Sequence, residues 1–127
     1  MSVPVLKFFW EWQAASPFWA VDDAAYRRFG VGEIDAADLD LPADLVAELA
    51  AAASWHDTSL NWSYPPDPGP WRQEECDRFN STSRALFERC QTLLAGNYII
   101  QYTHREERED PDLDAYLAAP STFKRKA

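Results

Sequence analysis

Residues 85–102 read ALFERCQTLLAGNYIIQY, and this stretch decides the fold because a helix, its end signal and a strand follow one another directly. Apolar residues at helical spacing continue upstream and predict a helix over residues 71–95. Gly96 favours the end of that helix, and residues 97–104 alternate between two faces as a strand does. The face of the helix predicted to be buried comprises Cys76, Phe79, Ser83, Leu86, Phe87, Cys90, Leu93 and Leu94.

A second strand is predicted at the N-terminus, where residues 4–12 read PVLKFFWEW. The alternation places Leu6, Phe8, Trp10 and Trp12 on one face, and we expect this strand to pair with residues 97–104. A further helix is predicted over residues 42–55, which open with a proline and are rich in alanine. The sequence thus predicts an α+β fold, in which a small antiparallel sheet packs against two main helices.

The chain divides into one α+β domain over residues 1–104 and a charged, partly disordered C-terminal extension over residues 105–127. Within the extension, residues 112–119 favour a short helix. Residues 33–40 are interpreted as an acidic loop. Residues 56–70 are interpreted as a linker, because the four prolines between positions 65 and 70 exclude regular structure there.

The charge of the chain is strongly acidic and unevenly distributed. The net charge is −9. Residues 1–70 carry eleven acidic and three basic side chains, a balance of −8, whereas residues 71–127 carry ten and nine, a balance of −1. Like charges repel, so this distribution argues against direct binding to nucleic acid or to an anionic membrane and favours a basic protein partner.

Two further features indicate the cytoplasm. No signal peptide is recognisable at the start of the sequence, which contains one lysine and then a short aromatic run broken by Glu11. Cys76 and Cys90 fall in the same predicted helix about 21 Å apart, too far for a disulfide, and we expect buried free thiols.

No recognisable catalytic, cofactor or metal-binding motif occurs. The chain lacks the glycine-rich phosphate-binding patterns, CxxC and HExxH. His56 and Asp57 precede a threonine and a serine, but adjacency in sequence is not the geometry of a catalytic triad. We therefore expect no catalytic residue, no metal and no cofactor, and a protein that binds rather than catalyses.

Aromatic residues supply the strongest indication of a binding surface. Among the six tryptophans, Trp10, Trp12 and Trp55 are assigned to the core. Trp62 and Tyr64 lie on the proline-rich segment among carboxylates, a composition typical of interface hot spots. The predicted partner-binding residues are Glu33, Asp35, Asp38 and Asp40, which would steer association, and Asp57, Trp62, Tyr64 and Asp67, which would make contact.

The order of several segments resembles a group of small acidic actinobacterial proteins of no assigned activity. These segments are FFWEW (8–12), SPFW (16–19), LDLPADLVAELAAAASWHDTSLNW (39–62), GPW (69–71) and ALFERCQTLLAGNYIIQY (85–102). Such proteins resemble the immunity proteins encoded beside secreted bacterial toxins. The resemblance implies an inhibitor that binds a cognate toxin domain, often a basic nuclease, and it supplies no catalytic residues.

Two other functions stay open from the sequence. An enzyme or small-molecule-binding domain would use His56, Asp57 and His104, and it requires these residues to converge in an apolar cleft. An adaptor or assembly subunit would use the Trp-rich first strand as the edge of a sheet. The oligomeric state is left open.

Overall fold

The computed structural model describes residues 2–125, which form one sheet of four short strands and four α-helices. The strands are β1 (Val5–Phe8), β2 (Phe18–Ala20), β3 (Glu33–Ile34) and β4 (Ile99–Tyr102), and the helices are α1 (Asp23–Phe29), α2 (Ala43–Asp57), α3 (Gln73–Leu94) and α4 (Leu113–Ala118). The order across the sheet is β3-β2-β1-β4. The α+β class and the two main helices are as predicted.

The pairing of β1 with β4 is confirmed, but its direction differs from the expectation. The two strands run parallel, with Leu6 opposite Ile100, while β1 and β2 form an antiparallel hairpin. The sheet is therefore mixed rather than wholly antiparallel. A parallel pair requires a long crossover connection, and the segment containing α2 and α3 provides it.

The position of β1 inside the sheet removes the premise of the adaptor hypothesis. Because β1 is hydrogen-bonded to β2 on one side and to β4 on the other, it offers no free edge to another subunit. The expectation that the Trp-rich first strand forms a sheet edge is wrong.

One face of the sheet carries the core. Leu6, Phe8 and Trp10 are buried as predicted, and the ring of Phe8 packs edge-on against that of Phe87 in α3 at 5.5 Å. Trp12 departs from the prediction because regular pairing stops at Phe8 and the chain turns; its side chain is 39 % exposed.

The two long helices bury the faces that their apolar spacing indicated. In α2 these are Leu45, Leu49, Ala52 and Ala53, together with His56 near the C-terminal end. In α3 every predicted residue except Leu93 is buried. Cys76 and Cys90 are free and buried, as expected. None of the described helices combines the length and apolar character that a membrane crossing requires.

Residues 13–40, whose structure the sequence leaves open, contain β2, α1 and β3. Asp22 caps α1 by accepting from Ala25 N, and its carboxylate also accepts from Val5 N in β1. Glu33 belongs to the edge strand β3 rather than to a loop. A short 3-10 helix over Ala36–Asp38 follows, capped by Asp35.

Residues 107–109 lie against the N-terminal half of α3. Asn80 and Glu107 exchange two hydrogen bonds of 2.8 and 2.9 Å, and Gln73 and Glu109 exchange two more. The predicted short helix forms as α4, with Leu113 buried. The division of the chain at residue 104 stays a prediction, and part of the tail expected to be disordered, residues 126 and 127, lies outside the described residues.

Candidate functional site

The C-terminal end of α2 organises three of the tryptophans. The indoles of Trp62, Trp71 and Trp12 donate to three successive residues, through Asp57 O, Thr58 Oγ1 and Ser59 Oγ respectively. The two hydroxyls in turn donate to carbonyl groups of the last helical turn, at 2.7 Å each. Helix ends leave such carbonyls without partners, so one short segment both caps the helix and fixes the tryptophans.

A tight turn over residues 11–15 lies beside this segment. Gln13 has a positive φ of 72°, and its backbone N–H donates to the Asp57 carboxylate. Ala15 N donates to the Glu33 carboxylate. Because residues 13 and 15 are separated by two Cα–Cα steps of about 3.8 Å, both carboxylates are held close to one turn.

Three aromatic side chains are exposed around this turn and the adjoining proline-rich segment. Trp12, Trp62 and Tyr64 are 39, 51 and 58 % exposed. Asn61 holds the segment in shape by donating to Pro68 O and accepting from Tyr64 N. Exposed aromatics on an ordered loop lose little conformational entropy on binding, which suits them to a protein interface.

The sequence-predicted partner-binding residues fall into three places. Glu33, Asp57, Trp62 and Tyr64 surround the turn and the proline-rich segment. Asp35, Asp38 and Asp40 continue from β3 into the 3-10 helix, where Asp35 accepts from Ala37 N. Asp67 lines a cavity to which Trp12 also contributes. Their contact with a partner stays a prediction.

Two histidines and a glutamate meet in a buried cluster at the end of the sheet. His104 Nε2 lies 2.7 Å from Glu107 Oε2, and His56 Nε2 lies 3.5 Å from the same oxygen. The histidine rings are 5.5 Å apart, and Trp12 stacks on His56 at 5.7 Å. The convergence of His56 and His104 required by the enzyme hypothesis is therefore present, and both line a cavity of about 440 Å³.

Asp57, the third residue of the enzyme hypothesis, lies outside the histidine cluster. Asp57 accepts from Gln13 N and does not line the histidine cavity. The hydroxyls of Thr58 and Ser59 donate to backbone carbonyls, not to an imidazole nitrogen. An activated nucleophile needs a base within hydrogen-bond reach, and these hydroxyls have none in this arrangement.

The hydrogen bonding of His104 determines what the cluster can do. Trp10 N donates to His104 Nδ1 at 3.1 Å, so Nδ1 presents a lone pair and the ring proton lies on Nε2, pointing at Glu107. Within the described part of the chain, His56, His104 and Glu107 form one group of potential metal ligands within 4.8 Å. Metal binding through His104 Nε2 would require a proton on Nδ1, opposite another N–H, so the cluster fits a metal poorly.

The cluster keeps Glu107 ionised. Burial by itself raises the pKa of Glu107, but the contacts with His104 and His56 outweigh it and lower the pKa to about 2. By contrast, burial raises the pKa of Cys76 to about 11 and that of Cys90 to about 12. Neither thiol is suited to nucleophilic chemistry, which requires the thiolate.

The sequence interpretation missed two residues of this region. Glu107 was placed in a charged extension, although its spacing of three residues from His104, just beyond a strand, was an available signal. Trp12 was assigned to the core because the alternation was extended past the true end of β1.

Comparison with known proteins gives one family. The model of the family described as Serratia CdiI immunity protein-like matches residues 4–105, which cover more than half of the chain. No curated protein matches the chain.

Proposed function

The chain belongs to the Serratia CdiI immunity protein-like family, and we propose that it binds a cognate CdiA toxin domain of a contact-dependent inhibition system and blocks that domain's activity. Immunity proteins of this family are typically non-enzymatic inhibitors. We further propose that it acts in the cytoplasm, where its two free buried thiols would remain reduced.

The observation that supports this proposal best is the fixed aromatic surface at the end of α2. Trp12 and Trp62 are exposed, yet hydrogen bonds to residues 57–59 hold both indoles in place. Gly69 permits the close approach of the proline-rich segment, because a Cβ there would lie 2.0 Å from Ser59 O. A preorganised surface loses less entropy on association, so more of the contact energy becomes affinity.

The predicted residues have separate roles in this proposal. Trp62 and Tyr64 supply buried area, and Asp57 and Asp67 supply polar contacts at its border. Glu33, Asp35, Asp38 and Asp40 lie on the acidic half of the chain and would raise the association rate with a basic toxin domain. Steering of this kind acts mainly on the rate of association and weakens with salt.

Stopped-flow association kinetics test the acidic residues. The variant Asp38→Lys/Asp40→Lys leaves intact the hydrogen bonds made by Glu33 and Asp35. We expect its association rate to fall about tenfold at low ionic strength, with a flatter salt dependence.

The matched control is Glu88→Lys/Glu106→Lys, which makes the same change in net charge at exposed positions beside another cavity. It should slow association much less. Equal effects in both variants, or unchanged kinetics in the first, would remove the acidic residues from the proposal.

A further inference from the structure

Trp12 and Glu107 form the shared wall of two cavities. One is the histidine cavity of about 440 Å³. The other, of about 360 Å³, is lined by Trp12, Trp71, Asp67, Glu107, Glu109 and Asp110, together with Arg108 and Arg125. We call this second cavity the acidic cleft. Its volume is near the lower end of the range of about 300–1,000 Å³ found for ligand sites.

The chain's own Arg125 shows which group the border of the cleft recognises. Its guanidinium donates two bonds to Asp110, at 2.7 and 3.3 Å, and one to Asp112 at 3.0 Å. Its Nε donates to Pro66 O at 3.0 Å. A fork of carboxylate oxygens beside a carbonyl matches the planar donors of a guanidinium.

The acidic cleft also contains carboxylate oxygens that could accept hydrogen bonds from a guanidinium. Asp67 takes part in the described hydrogen bonds only through its backbone N–H, which donates to Tyr64 O. Glu107 receives both histidines on Oε2, and among residues 2–125 no donor reaches its Oε1. Trp12 and Trp71 line the same cleft, and an indole face attracts a cation placed over it.

One buried ring nitrogen of His56, in the neighbouring histidine cavity, has no partner among the described residues. The side chain of His56 is 5 % exposed, and within residues 2–125 its Nδ1 has no hydrogen-bond partner. Buried polar atoms without partners are rare in folded proteins and call for an explanation. His56 lines the histidine cavity and not the acidic cleft, so it bears on the cleft only through the contact of its Nε2 with Glu107 Oε2.

We propose that the acidic cleft receives a cationic side chain of the toxin domain, an arginine guanidinium, which stacks against Trp12 and bonds to Asp67 and Glu107. This proposal rests on the proposed function for the identity of the partner. It adds a contact residue, Trp12, and a residue deep in the cleft, Glu107, to the predicted surface.

The cleft is tested first without the toxin, by titrating the full chain with N-acetyl-L-arginine amide and following the indole N–H signals by NMR. We expect saturable shifts of the Trp12 and Trp71 signals at millimolar ligand. N-acetyl-L-citrulline amide, the neutral isostere, should produce no saturable shift. Equal shifts with both compounds, or none with either, would overturn the proposal.

Variants then connect the cleft to the toxin. Asp67→Asn should weaken binding of the arginine amide about fivefold, and Glu107→Gln should abolish that binding. If Glu107→Gln does not fold, Asp67→Asn carries the test alone. The control Glu88→Gln should change nothing.

The same variants distinguish failure of the cleft from failure of the proposed function. Loss of toxin affinity in Trp12→Leu and Asp67→Asn, about tenfold or more, supports the proposal. If the wild type binds the toxin domain and both variants bind equally well, the cleft proposal is wrong and the proposed function stands. If the wild type does not bind the toxin domain, the proposed function fails, and the arginine titration alone decides whether the cleft recognises a guanidinium.

Discussion

Glu107 contacts two histidines that are distant from each other in sequence, with His104 Nε2 at 2.7 Å and His56 Nε2 at 3.5 Å from its Oε2. His56 comes from the last turn of α2, and His104 follows β4. The sequence singled out both histidines but not the carboxylate between them, because a charged run such as REERED usually faces solvent. Only the return of residues 105–110 along α3, fixed by the paired bonds of Asn80 with Glu107, brings that carboxylate under the rings.

The ionised state of Glu107 predicts a pH-dependent stability. Its folded pKa of about 2 lies below the ordinary value of 4.5, so its contribution is complete above pH 4.5 and is lost as the pH falls toward 2. We expect Glu107→Gln to lower the free energy of unfolding by about 2 kcal/mol at pH 7. This difference should fall to less than half at pH 3, as measured by urea denaturation.

The neighbouring Glu106→Gln is the matched control, because Glu106 is exposed. It should change stability by no more than about 0.5 kcal/mol at either pH. A difference between Glu107→Gln and the wild type that is the same at pH 7 and pH 3 would show that the histidine contacts do not stabilise the carboxylate.

Among the elements, α3 and β4 were the most predictable. Their apolar periodicities are unbroken and Gly96, with a φ of 89°, separates them. The sequence interpretation was weakest between residues 13 and 40, where β2, α1 and β3 are each seven residues or shorter. Elements this short carry too few residues for a period to emerge, and hydrogen bonds to distant segments stabilise them. The direction of β4 against β1 also depends on the crossover, which no local pattern encodes.

A buried polar contact joins α3 to the sheet. Ser83 is fully buried; its hydroxyl accepts from Trp10 Nε1 at 2.8 Å and lies 2.8 Å from the Tyr102 hydroxyl. We expect Ser83→Ala to lower the free energy of unfolding by about 1–3 kcal/mol, because the Trp10 indole loses its acceptor in the core.

Ser81 provides the comparison on the same helix. It is exposed, and Ser81→Ala should be neutral or slightly stabilising because alanine favours the helix. Guanidinium denaturation followed by tryptophan fluorescence measures both variants. Equal stabilities for Ser83→Ala and the wild type would mean that the indole finds another acceptor.

At the scale of the molecule, composition indicated the kind of function but not the location of the site. A net charge of −9 and six tryptophans favoured a binding protein, and the family agrees with that interpretation. The position of the binding surface could not be predicted from the sequence, because β3, the turn over residues 11–15 and the end of α2 all contribute to it. Hydrogen bonds of the turn to Asp57, Ser59 and Glu33 bring these segments together.

The central claim is that this surface binds a toxin domain. The most direct test is isothermal titration of the cognate toxin domain with the wild type and with Trp62→Ala/Tyr64→Ala, alongside an assay of toxin activity. The exposed pair Leu93→Ala/Leu117→Ala provides the control, since those side chains are 48 and 52 % exposed elsewhere on the protein.

We predict a one-to-one complex with a Kd of about 10⁻⁸ M or tighter that suppresses toxin activity. The affinity should fall at least about thirtyfold in the aromatic double variant and remain unchanged in the control. Absence of a complex would contradict the account, and so would a complex that the aromatic double variant forms as tightly as the wild type.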